Sequence, residues 1–238
     1  MTSTWMSPVH GISRGKAYPR ATARRSLALL ACTAGMTSAG AVTVLDPTND
    51  FIPTFAGAHS ADLDVQSVFA TYDGVNLHIG ATLSGNVGTL PSALYVFGFH
   101  RGAGTANFAA IGLPDINFDA VVTMTGAGVT GGRDLVANTA ITLPAGAAQI
   151  SGATFQIDFP ASLLPSRGRT PDQYGVNLWP RDASVVAGDT QIADFAPDSV
   201  DFVISPVGAI PEPANSLLFA SGLAGLALAR RRNSARRD

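Results

Sequence analysis

Between residues 42 and 210 the chain has no lysine, no glutamate and no cysteine. Each absence excludes something. Without cysteine that stretch has no disulfide, so its core must hold the fold alone, for which about 170 residues suffice. Without Cys pairs, and with no His-x-His or His-Glu-x-x-His spacing, a zinc centre is excluded as a reading of the sequence. Without glutamate, any carboxylate acid–base work falls to aspartate. No Gly-x-Ser-x-Gly elbow is present, and the Gly-rich Arg101-Gly102-Ala103-Gly104-Thr105 lacks the Lys-Ser/Thr of a phosphate loop. Charged residues make up only 13% of the 238-residue chain, about half the usual share. Long disorder, which needs a polar and charged chain, is excluded too.

Charge is present, but it is sorted. The middle stretch holds five arginines against fifteen aspartates, a net charge of −10. Such a surface repels phosphate backbones, so nucleic acid is not an expected partner. The other ten basic residues lie outside it, five before residue 42 and five after 229.

The N-terminal group (Arg14, Lys16, Arg20, Arg24, Arg25) precedes Ser26-Leu27-Ala28-Leu29-Leu30-Ala31 and then small residues up to Ala39-Gly40-Ala41. Basic, apolar and small regions in that order predict a secretion signal over 1–41, cut between Ala41 and Val42. The single cysteine, Cys32, leaves with it.

At the other end, Pro211-Glu212-Pro213 is followed by the uncharged segment 214–229 and then Arg230-Arg231-Arg232. Sixteen residues of helix span about 24 Å, and flanking side chains extend this toward a hydrocarbon core of about 30 Å. A single transmembrane helix is expected there, with the arginines as its cytoplasmic stop. The two prolines leave the triplet extended and accessible.

Residues 209–238 resemble the PEP-CTERM sorting signal. The resemblance implies a Gram-negative bacterium with an exosortase, a membrane enzyme that recognises Pro211, Glu212 and Pro213 and processes the tail. The implied partners are that enzyme, the secretion machinery, the membrane and extracellular polysaccharide. The implied location is the inner membrane in transit, then the cell surface or matrix.

Residues 42–208 read as one all-β domain, an antiparallel, jelly-roll-like sandwich. Asp73-Gly74 predicts a hairpin turn. After it Val75, Leu77, Ile79, Ala81 and Leu83 alternate with polar or small residues. Phe118–Met124, Ala153–Phe159 and Val200–Ile204 alternate likewise, and Leu94–Phe99 is apolar enough for a central strand. Turns are expected at 84–86, 102–104, 126–128, 131–132 and 144–146, and one helical turn at 161–164. The order of Asp46-Pro47-Thr48-Asn49-Asp50, Asp62-Leu63-Asp64-Val65 and Phe159-Pro160-Ala161-Ser162-Leu163-Leu164-Pro165 resembles DOMON-like and family-nine carbohydrate-binding sandwiches. Those groups bind sugars or haem, and some hold calcium.

Three functional readings follow. The first is an exported, non-enzymatic surface or matrix sandwich with no cofactor. The second is a carbohydrate-binding module, stabilised by calcium at Asp46, Asp50, Asp62 and Asp64, with Tyr72, Tyr95, Tyr174 and Trp179 as candidate stacking rings. The third is an aspartate-based hydrolase. His78 and Asp119 are expected on wet faces.

Overall fold

In the computed structural model, residues 42–207 are described. The expected secretion signal, with Ala41, and the segment carrying Pro211, Glu212, Pro213, the expected transmembrane helix and Arg230–Arg232 lie outside them. Among the described residues no helix is long and apolar enough to cross a membrane.

Twelve strands build two six-stranded sheets. They are β1 (Thr43–Leu45), β2 (Val65–Tyr72), β3 (Asn76–Leu83), β4 (Ala93–His100), β5 (Ala120–Thr125) and β6 (Thr130–Asp134). Then come β7 (Thr139–Ile141), β8 (Ala148–Ser151), β9 (Thr154–Pro160), β10 (Gly175–Asp182), β11 (Phe202–Val203) and β12 (Ser205–Pro206). The first sheet runs β1-β2-β3-β9-β8, and β12 joins β2 as its one parallel pairing; the second runs β11-β10-β4-β5-β6-β7. The all-β, two-sheet reading of the sequence holds, and the helical turn at 161 is a short 3₁₀ turn.

The hairpin forms where Asp-Gly places it. Asp73 accepts the N–H groups of Val75 and Asn76, and Gly74 takes a left-handed φ of 99°. Val75 belongs to the turn and is 68% exposed, so the inward series starts at Leu77. From the first sheet Leu77, Ile79, Phe155, Ile157 and Phe159 meet Tyr95, Phe97, Phe99, Val122 and Leu178 of the second in one core. Ring pairs Tyr95–Phe155 (4.9 Å) and Phe99–Phe159 (6.2 Å) cross between the sheets.

The centre of the second sheet, β4 and β10, is buried on both faces. The segments 101–119 and 186–198 cover its outer side, and Phe108, Ile116, Phe118, Trp179, Ile192 and Phe195 form a second core there. This explains why Leu94–Phe99 is nearly all apolar rather than alternating. It also corrects two expectations. Trp179 is 2% exposed, and Gly131–Gly132 lies inside β6, not in a turn.

Candidate metal centre

Asp46 follows β1 directly, and its backbone N–H donates to the Gln66 carbonyl (3.0 Å). The chain then doubles back. Asn49 adopts a left-handed φ of 62° and donates its N–H to Asp64 (3.1 Å). Ile52 donates to the Ala193 carbonyl (2.9 Å) and Ala56 to that of Thr190 (3.0 Å). These bonds lay residues 46–56 along the segment covering the second sheet.

That segment carries the other half of the site. Asp194 is 1% exposed; its carboxylate accepts the N–H of Val65 (2.9 Å) and of Phe195 (2.7 Å). Four residues on, Asp198 sits in an exposed loop. Asn177 of β10 pins the loop by donating to the Pro197 and Val200 carbonyls (2.7 and 3.2 Å).

Asp46, Asp50, Asp194 and Asp198 thus converge, with one carboxylate oxygen from each within 4.8 Å of the others. Asp46 is 9% exposed, and neither of its oxygens meets a hydrogen-bond donor; one oxygen of Asp50 is likewise unpartnered. Burial, then the charges of Asp194, Asp198, Asp50 and Asp64, push the Asp46 carboxyl up to about 9. Burial also raises Asp194 to about 8, against the two N–H groups it accepts. Asp50 is raised, first by burial. The donors are all hard oxygens, the set that suits calcium or magnesium rather than zinc or copper.

Of the four aspartates expected to meet, two do. Asp64 stands beside the cluster, buried, and serves Asn49. Asp62 is spent elsewhere: it accepts from Ser60, Leu90 and Tyr95. Sequence reading missed Asp194 and Asp198. The signal available was spacing, since Asp46-Pro-Thr-Asn-Asp50 and Asp194-Phe-Ala-Pro-Asp198 are both Asp-x₃-Asp segments containing proline.

Other charged groups are consumed by the fold. Asp119 is buried, not wet: it pairs with Arg101 Nε (2.5 Å) and accepts the N–H of Arg101 and Ala103. Arg101 is fully buried and also meets Asp134 (3.0 Å), which Arg167 shares (3.1 Å). Arg101-Gly102 is therefore an anchor, not a free turn. His78 lies half-buried on the outer face of the first sheet, between Asp158 (2.7 Å) and Asp73 (3.1 Å). Tyr95 and Tyr174 are fully buried, and Tyr174 donates to the Leu164 carbonyl, so with Trp179 three of the four candidate stacking rings belong to the core. Tyr72 alone stays partly open, in a shallow groove with Val75, Pro165 and Pro171.

Comparison with protein-family models, with curated proteins and with solved structures gives no match for this chain.

Proposed function

We propose that the protein is an exported, non-enzymatic β-sandwich of the bacterial surface or extracellular matrix. It is delivered by a secretion signal over 1–41 and processed by an exosortase at Pro211-Glu212-Pro213, after transient anchoring by 214–229 with Arg230–Arg232 as its stop. The leader and tail, read from sequence, carry the destination.

One observation supports a structural rather than catalytic body. Among the described residues, the buried aspartates are bonded into the fold or converge on a single point. Arg101 and Arg167 neutralise Asp119 and Asp134, Asp62 and Asp182 cap backbone and hydroxyl groups, and Asp46, Asp50, Asp194 and Asp198 crowd around one centre. A glycosidase instead holds two carboxyls about 5–9 Å apart with a sugar between them. The sugar-binding alternative loses three of its four rings to the core.

The Pro211→Ala/Glu212→Ala double variant, expressed in an exosortase-bearing host, tests the sorting claim. The account expects it to accumulate in the membrane with its tail attached while the sandwich stays folded. Normal removal of the tail from the double variant contradicts it.

A further inference from the structure

We infer that Asp46, Asp50, Asp194 and Asp198 form a calcium site that staples the N-terminal edge of the first sheet to the cover of the second. The inference rests on the geometry of the described residues and stands whether or not the tail is a sorting signal.

The first ground is Asp46 itself. A carboxylate nine-tenths buried with neither oxygen meeting a donor is costly unless a cation faces it. Here three further carboxylates surround it, and among the described residues no arginine or histidine forms an ion pair with any of the four. Helix ends or hydroxyls do not relieve it. The arrangement is unfavourable on its own and favourable around a divalent ion.

Size gives the second ground. Calcium takes oxygens at 2.3–2.6 Å, so ligands on opposite sides lie about 4.6–5.2 Å apart. The four oxygens lie within 4.8 Å of one another, which fits inside that shell. Magnesium needs a stricter octahedron of about 4.0–4.2 Å across and keeps several waters, which suits a site of one or two carboxylates better than four. Asp198, exposed, leaves an open side through which the ion enters and waters complete its shell.

The third ground is what the site joins. One Asp-x₃-Asp segment follows β1, an edge strand held only by β2. The other lies in the segment over the second core, beside Phe195. Asp194 also accepts the N–H of Val65, where β2 begins. An ion here ties chain ends about 150 positions apart, in a body that has no disulfide to do so.

The test uses the full-length chain, freed of metal by chelator, then titrated with calcium or magnesium chloride while heat of binding and thermal midpoint are followed. Calcium is expected to bind at one site and to raise the midpoint by about 5 °C or more at millimolar concentration. Magnesium is expected to act at least tenfold more weakly. Asp198→Asn changes an exposed side chain, so it folds, and it is expected to lose at least tenfold in calcium affinity; Asp172→Asn, exposed and outside the cluster, keeps wild-type affinity. Asp46→Asn is expected to melt no lower than wild type in chelator and well below it in calcium, a reversal that a purely structural cluster does not give. Absence of calcium heat and of any midpoint shift overturns the site. So does an Asp198→Asn variant that responds like wild type, or an equal response to magnesium.

Discussion

Arg101 holds a full charge where water does not reach, and it does so because four oxygens surround it, from the carboxylates of Asp119 and Asp134 and the carbonyls of Asp119 and Pro165. Burial opposes its charge, yet the bonds to Asp134 and Asp119 win and raise its pKa; Asp134, partnered by Arg101, Ala137 and Arg167, is held well below the usual carboxylate range despite burial. Removing one partner strands the others. Arg101→Met should therefore cost about 3–5 kcal/mol, read as a lower urea midpoint. A loss below about 1 kcal/mol means the network is not worth what its burial implies.

His78 behaves differently because it is half-exposed. Burial lowers its pKa, but hydrogen bonds to Asp158 and Asp73 outweigh that and raise it. The protonated ring donates from both nitrogens, one to each carboxylate. Its stabilising contribution is therefore complete below the unfolded pKa of about 6.5 and fades as pH rises through the higher folded value. The stability gap between wild type and His78→Gln should shrink from pH 5.5 to pH 8.5 in parallel urea titrations. A gap that is constant or widens with pH sinks this reading. Chemistry at single residues was only half legible in the sequence. His78 on a wet face followed from alternation in β3. Asp119 did not, because it precedes β5, where alternation no longer governs direction and Arg101, eighteen residues earlier, claims its carboxylate.

Among elements, β3 shows how tightly register is set. Gly80 pairs with Gln156 of β9, and a Cβ there would run into the Phe155 carbonyl and the Phe69 ring. Backbone cannot step aside as a flexible side chain can. Gly80→Ala should destabilise by about 1–3 kcal/mol, seen as a lower thermal midpoint, whereas Gly112→Ala, where a Cβ meets nothing, should show only the smaller strain of its left-handed φ of 90°. Equal losses at both positions would mean that crowding in β3 is not the cause. The strands that the sequence revealed are those with one dry and one wet face, β3, β5 and β9, together with the apolar β4; the single strand expected over Val200–Ile204 is instead two short ones, β11 and β12, on different sheets. Those it hid have a physical reason. β1, β7 and β8 are edge strands of three or four residues, too short for a period to register. β6 carries Gly131-Gly132, which reads as a turn. β10 is buried on both faces, so Trp179 looked out of phase with Val176 and Leu178 when it packs on a second core.

At the scale of the molecule, two layers and an outer cover are drawn together at one place, where the loop after β1 meets the loop after Ile192. The aspartates there came half from a cluster visible in sequence and half from a segment about 150 positions away. Asp46 and Asp50 were legible; Asp194 and Asp198 were not, because long-range pairing of their segment with β10 and with residues 52–65 brings them near. A body of net charge −10 with no cysteine would gain most from such a tie outside the cell, the destination proposed for it from its leader and tail. The proposed destination, unlike the calcium site, turns on whether the chain leaves the cytoplasm and sheds both ends. Intact-mass and N-terminal analysis of the protein recovered from the cell surface or medium of an exosortase-bearing host measures this directly. The prediction is a mature chain that begins at Val42 and lacks the apolar segment 214–229 with its arginines. A protein that stays in the cytoplasm with residues 1–41 and the Arg230–Arg232 tail intact contradicts it.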